Sequence, residues 1–196
     1  AAIEPLQELL RGKKAVVAGP GMGTGEATGA MIREILKNDR CPVVIDADGL
    51  NAAEQWLEEA GQAQMPVILT AHPGEMARVT GLETSYIQNN RLAAAQEFAQ
   101  KKQVWLVLKG ANTIVAAPDG RLYMNVIDSP ALAVAGSGDV LAGIIVSLLG
   151  QGLQPLEAAA CGAWLHGAAG DLCAEEIGQY GMLPTDMLMR IPRLMK

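Results

Sequence analysis

Four short apolar runs, at residues 15–18, 43–45, 67–69 and 104–108, alternate with stretches of helical spacing at 25–38, 49–61 and 84–102. Each run is bounded by polar residues, glycine or proline, and its lack of polar alternation suits a strand buried on both faces. A β-α-β-α-β-α-β order of this kind requires a mostly parallel sheet with helices covering both of its faces. Residues 113–117 and 121–125 then flank Pro118-Asp119-Gly120 and predict an antiparallel hairpin at or near one sheet edge. The last third reads as helix, over 139–149, 156–169, a shorter piece near 171–177, and 185–194. The expected fold class is therefore three-layer α/β/α. No repeat, low-complexity tract or linker divides residues 1–196 into more than one domain.

Composition narrows the partners. The chain has 196 residues, of which 50% are hydrophobic and 18% charged, enough to bury one sizeable core. Aromatic residues are scarce, so Val, Leu, Ile, Ala and Met must fill that core. A formal charge of −6 argues against nucleic acid, which calls for a basic face. It leaves phosphate ligands open, because backbone amides hold phosphate with little net positive charge. Cys41, Cys161 and Cys173 are odd in number and form no Cys-x-x-Cys pair, as expected for reduced thiols in the cytoplasm. Residues 131–149 are apolar enough to suggest a membrane span, but Asp139 and several glycines interrupt them, so a buried helix is expected. The chain starts at Ala1 rather than Met and moves at once into the helix-like spacing Ile3, Leu6, Leu9, Leu10, which predicts a piece of something longer.

In an open α/β sheet, ligands collect beyond the carboxyl ends of the strands. The unusual residues of this chain fall there after run upon run. Residues 15–18 lead into Gly19-Pro20-Gly21-Met22-Gly23-Thr24-Gly25, and residues 43–45 into Asp46-Ala47-Asp48-Gly49-Leu50-Asn51. Residues 67–69 lead into Thr70-Ala71-His72-Pro73-Gly74-Glu75, and 104–108 into Lys109-Gly110-Ala111-Asn112-Thr113. A fifth loop, Gly136-Ser137-Gly138-Asp139, opens an apolar helix. Its glycines permit a tight turn and close approach of a ligand, and the helix points unpaired N–H groups back at the loop. Asp139 adds a carboxylate at the lip of this anion cradle, a pairing that suits phosphoryl transfer to a hydroxyl. The plainer account makes Ser137 an N-cap and Asp139 a dipole-stabilising residue.

The other loops carry similar alternatives. Gly19 to Gly25 matches neither the Walker nor the dinucleotide spacing. It reads as a flexible turn or as a loop lying against a bulky ligand. Asp46 is expected in the site, whereas Asp48 is most simply an N-cap and Asn51 structural. Glu75 opens a helix and could hold Mg²⁺ through water. Lys109, at a strand end before a glycine, looks like a nucleotide contact. His166, in an Ala-rich helix, reads as a packed core residue.

Taken in this order, the five loops resemble those of the ADP/ATP-dependent NAD(P)H-hydrate dehydratase family, a ribokinase-like branch. The match spans residues 19 to about 170, and the His-Pro-Gly-Glu and Gly-Ser-Gly-Asp loops are its most specific parts. The resemblance implies ADP- or ATP-dependent dehydration of hydrated NADH or NADPH, with Mg²⁺. It implies that Asp139 contacts the substrate hydroxyl as base and that Gly136, Ser137 and Gly138 hold the transferring phosphoryl. Lys109, Gly110, Ala111, Asn112, Thr113 and Gly138 correspond to adenine-nucleotide positions, and Gly21 and His72 to hydrated-nicotinamide positions, where Asp46 is also placed. It further implies homo-oligomers. Family members begin with roughly another βαβ unit, absent from this sequence, and many carry an upstream epimerase domain. Missing that unit, the chain is expected to expose a sheet edge. Two other readings fit the same loops: a kinase of a small alcohol, such as a vitamin precursor or sugar, and a non-catalytic nucleotide-binding fragment.

Overall fold

The computed structural model of the protein describes residues 3–195. Helix α1 (Ile3–Leu10) precedes β1 (Val16–Ala18), α2 (Glu26–Leu36) and β2 (Val43–Asp46). Then come α3 (Asp48–Asn51), a 3₁₀ turn (Ala53–Gln55), α4 (Leu57–Ala60) and β3 (Val67–Ala71). Helices α5 (Pro73–Thr80), α6 (Thr84–Asn89) and α7 (Arg91–Lys102) lead into β4 (Trp105–Leu108) and the hairpin β5 (Ile114–Ala116) and β6 (Leu122–Met124). A second 3₁₀ turn (Pro130–Leu132), α8 (Ser137–Gly150), α9 (Pro155–Ile177), α10 (Pro184–Leu188) and α11 (Ile191–Leu194) complete the chain.

The six strands form one sheet in sequence order, β1 to β4 parallel and β5 and β6 antiparallel. Alternation along each strand divides the core. Val43, Ile45, Leu69, Leu106 and Leu108 pack with Ile32, Trp56, Met76 and Phe98 from the helices before β4. Val44, Ile68, Val107 and Val115 face the opposite way, onto Leu141, Ile145, Ala159 and Ala163 of α8 and α9. Both faces are therefore covered, which explains the continuous apolar runs of the central strands. This is the expected three-layer arrangement with its hairpin at one edge. Among the described residues no helix is long and apolar enough to cross a membrane. At the other edge, among the described residues, β1 pairs only with β2, and Val17 is 40% exposed.

Four helical expectations require correction. The stretch 49–61 is not one helix but α3, a 3₁₀ turn and α4. The break buries Trp56, whose Nε1–H donates to the Gly49 carbonyl at 3.0 Å. The stretch 84–102 divides at Asn90, whose backbone leaves the helical region while its side-chain amide donates to the Tyr86 carbonyl. Conversely, 156–169 and 171–177 belong to the single helix α9. Gly170 does not end it: a Cβ there would meet Leu132 Cδ2 at 2.6 Å, so this glycine makes room for packing. The stretch 185–194 is the two short helices α10 and α11.

One glycine is required by the protein itself. Gly19 has φ +122°, and a Cβ on it would lie 1.8 Å from the Asp46 carbonyl oxygen. Its absent side chain thus serves contact between two loops rather than approach of a ligand. Gly19→Ala is expected to destabilise the fold by about 3 kcal/mol or more, from backbone strain plus a clash with main chain that cannot rotate away. Gly12→Ala, at φ +72° in open space, should cost about 1 kcal/mol. Urea unfolding of the two variants checks the order.

Candidate functional site

The site is built where the carboxyl ends of β2, β3 and β4 meet the N-terminus of α8. Residues of β2 and β4 alternate between faces, so Asp46 and Lys109 follow Val44 and Val107 onto the α8 side. Lys109 Nζ lies 2.6 Å from Asp46 Oδ1 and 3.6 Å from Glu75 Oε2. The Asp46 side chain is 1% exposed and that of Glu75 7%. Asp46 Oδ1 also accepts from the Ala47 N–H at 2.8 Å. Ala47 holds that turn at φ 51° and ψ −118°, a strained conformation for a residue with a Cβ. The contact with the ammonium offsets part of the cost of taking the two carboxylates out of water. Thr70, level with Asp46 in the next strand, keeps a fully buried hydroxyl with no hydrogen-bond partner.

Above this cluster α8 begins. Gly136 is its N-cap at φ 89°, with no side-chain cap. Ser137 donates its N–H to the Val134 carbonyl, but nothing among the described residues accepts from Gly138 or Asp139 N–H. A Cβ on Gly138 would stand 3.4 Å from Lys109 Nζ and 3.6 Å from Asp46 Oδ2. The open helix terminus and the lysine therefore adjoin, which makes an anion site of backbone donors backed by a cation. Ser137 is the first helical residue rather than the N-cap, and its hydroxyl lies 2.9 Å from His166 Nε2. His166 is buried as expected, yet it is tied to this loop and is not simply packed.

A cavity of about 440 Å³ opens from the terminus. Its lining brings together His72, Lys109, Gly110, Ala111, Thr113, Ser137 and Gly138. The Lys109–Thr113 turn is held from two sides. Thr113 Oγ1 donates to the Gly110 carbonyl at 3.1 Å, and Arg91 donates to the Leu108 and Lys109 carbonyls at 3.1 and 3.3 Å. Asn112, in the left-handed region at φ 53°, turns its amide to the Asn125 carbonyl and borders an outer groove with Arg91 and Met124. Asp139 is exposed and lines a separate apolar depression between α8 and α11. Neither Gly21 nor Asp46 lines the cavity. Gly21, at φ +71°, has open space where a Cβ would be.

One expected cap is reassigned, and one cap is found where none was expected. Asp48 does not cap α3, because Ala47 is the N-cap residue; Asp48 Oδ2 instead accepts from Gly23 N–H at 2.9 Å and joins the first two loops. His72 caps α5. Its Nδ1 accepts from Gly74 and Glu75 N–H, while Glu75 Oε2 accepts from His72 N–H at 2.8 Å, a reciprocal capping box. One Glu75 oxygen is thereby committed and its other lies 3.4 Å from His72 Nε2. Among the described residues no group of three His, Cys, Asp or Glu could hold a metal directly. Asn51 is structural as expected, bonded to Arg78. Sequence reasoning missed Asn125 and Ser129. Asn125 donates to the Ala163 carbonyl at 3.0 Å and fixes the cavity floor to α9. Ser129 contributes a buried hydroxyl without a partner. Asn125 falls at the end of the expected hairpin strand 121–125, just past β6, and Ser129 lies in the loop beyond it, where no spacing marks an element.

The NAD(P)H-hydrate dehydratase sequence profile of the carbohydrate-kinase type matches residues 2–193. The chain belongs to this family. It is 45% identical over 195 residues to a bifunctional NAD(P)H-hydrate repair enzyme of Moorella thermoacetica, covering 100% of this chain and 37% of that protein. The chain thus spans little more than a third of that relative. The structure is similar to an ADP/ATP-dependent NAD(P)H-hydrate dehydratase from Bacillus subtilis co-crystallised with ATP and Mg²⁺. That similarity has a TM-score of 0.84 and 34% identity, and covers 93% of this chain and 64% of the Bacillus one. A ribokinase from Thermotoga maritima, at 16% identity and a TM-score of 0.56, shares the fold alone.

Two measurements probe the site's electrostatics. Burial pushes the His166 pKa down to about 4, with Lys109 adding to the shift and the bond to Ser137 opposing it. The folded pKa lies below the unfolded value of about 6.5, so the unfolded state binds the extra proton and stability falls as pH drops from about 6.5 towards 4. The full loss is on the order of 3 kcal/mol, and His166→Gln should abolish that part of the slope in chemical unfolding at pH 7 and 5. Separately, Lys109→Met and Asp46→Asn should each cost about 3 kcal/mol or more, because each strands a buried charge or its partner, while the double variant should cost much less than their sum. A double-mutant unfolding cycle reads this directly.

Proposed function

We propose that residues 1–196 form one ribokinase-like unit that binds ADP or ATP and repairs hydrated NADH or NADPH. The observation that carries this reading is the open α8 terminus standing on the Lys109–Asp46 pair at the mouth of a nucleotide-sized cavity. Lys109, Gly110, Ala111, Asn112 and Thr113 bind the adenine nucleotide. The loop Gly136, Ser137 and Gly138 holds the phosphoryl group, with Gly138 N–H as its open backbone donor, where Lys109 offsets the charge that develops in transfer. Gly21, His72 and Asp46 are assigned to the hydrated-nicotinamide side.

Hydroxide is a poor leaving group, so the ring hydroxyl is phosphorylated first. Asp139 accepts its proton as the oxygen attacks phosphorus. From ADP this step releases AMP. The ring nitrogen's lone pair then expels phosphate, and loss of a proton from the adjacent carbon restores the dihydronicotinamide. Mg²⁺, when bound, neutralises phosphate charge. Glu75, whose oxygens already face His72 and Lys109, would hold it through water. We place the protein in the cytoplasm and propose that it associates with further copies, a reading supported by the unpaired β1 edge.

Incubation with ADP or ATP, Mg²⁺ and hydrated NADH, followed by reduced-nicotinamide absorbance, tests the reading. Recovery of NADH is expected, with Asp139→Asn lowering kcat by at least about a hundredfold. Phosphorylation of a vitamin alcohol without recovery of NADH contradicts it in favour of a kinase. ADP binding without any turnover leaves a nucleotide-binding module.

A further inference from the structure

His166 lies on α9, forms part of the cavity wall and takes no part in the chemistry above. Its Nε2 stands 2.9 Å from the Ser137 carbonyl oxygen and 2.9 Å from Ser137 Oγ. A carbonyl can only accept, so Nε2 carries the hydrogen and donates to it, with Oγ as a second acceptor. Ser137 N–H is already bonded to Val134. The residue that opens α8 is therefore held at its N–H from one side and at its carbonyl and hydroxyl from the other. The next two N–H groups, of Gly138 and Asp139, are those left without a partner.

We propose that His166 is a positioning residue: through Ser137 it sets the direction in which the Gly138 and Asp139 donors point at a phosphoryl group, without touching that group. This rests on the nucleotide reading given above. An imidazole suits the task because it reaches across from the neighbouring helix on only two torsions and presents one rigid donor. A mere space-filler on α9 would need no bond to α8. Burial keeps the ring neutral, so it adds no second cation beside Lys109. Lys109 is the charged group that acts on it across the cavity, and Ser137 is its polar contact on α8.

The test separates phosphate binding from base binding. ADP and adenosine affinities are measured by calorimetry on the 196-residue chain, on His166→Leu and on His166→Gln, beside thermal unfolding. His166→Leu is expected to weaken ADP about tenfold while adenosine changes less than about twofold, the loss expected for one hydrogen bond placed on the phosphate side. His166→Gln, whose amide can still donate to Ser137, should recover most of the loss. Equal losses for both ligands, or none, in a cooperatively unfolding His166→Leu overturn the proposal. If that variant does not fold, the native chain decides. It has 2 histidines, so the His166 Nε2–H resonance is identified against His72→Gln. ADP and not adenosine should move it, and an equal response or none overturns the role. A chain that shows this pattern yet regenerates no NADH keeps the His166 role and loses the dehydratase reading. One that binds no ADP loses both.

Discussion

The buried contact between Lys109 and Asp46 fixes the rest of the site. It joins the carboxyl ends of β2 and β4 across the intervening β3, under the first turn of α8, with Asp46 1% exposed. Such a pair is expensive to desolvate; Glu75 also faces the ammonium at 3.6 Å, and the Ala47 N–H donates to Asp46. It also depends on register. A slip of one residue in either strand would turn Asp46 or Lys109 into the opposite apolar layer. The loops then follow from their strands: Gly19 packs on the Asp46 carbonyl, His72 caps α5 beside Glu75, and Arg91 grips the end of β4. The charged cluster thereby seats the Gly138 backbone against Lys109, where a Cβ would stand in van der Waals contact with the ammonium at 3.4 Å.

The first turn of helix α8 faces two different depressions. Successive residues on a helix turn by about 100°. Ser137 and Gly138 consequently face the cavity while Asp139 faces outward beside α11. A phosphoryl donor held in the cavity and an acceptor hydroxyl approaching from the Asp139 side would meet over the helix terminus, with Lys109 below. Helix α9 supports the arrangement from behind. Gly162 has no Cβ to push Ile145 away, so α9 packs closely on α8 and His166 reaches Ser137.

Much of this was legible in the sequence, for identifiable reasons. The central strands are buried on both faces, so 43–45 and 67–69 stand out as unbroken apolar runs, and Pro118-Asp119-Gly120 marks the hairpin by turn chemistry alone. Four of the five loops are visible because strand ends in such sheets are where polar and glycine residues otherwise have little reason to gather, and the fifth because its glycines open an apolar helix. What stayed hidden depends on tertiary contact. Nothing local shows that Trp56 needs the Gly49 carbonyl and breaks a helix, or that Gly170 accommodates Leu132 instead of ending one. A histidine among alanines looks the same whether it fills space or bonds a neighbouring helix, and only the packing of α8 on α9 distinguishes the two for His166. Asp48 was misread as a cap because its partner, Gly23, lies in another loop.

On the proposed reading the α8 terminus and Lys109 together hold the phosphates of an adenine nucleotide. A crystal structure of the chain with ADP tests it most directly. The base is expected within the cavity against the Gly110–Thr113 turn, and the terminal phosphate accepting from Gly138 or Asp139 N–H with Lys109 Nζ in hydrogen-bonding reach. A nucleotide whose phosphates lie away from α8, with the Lys109–Asp46 pair untouched and the Gly138 amide still open, would contradict it.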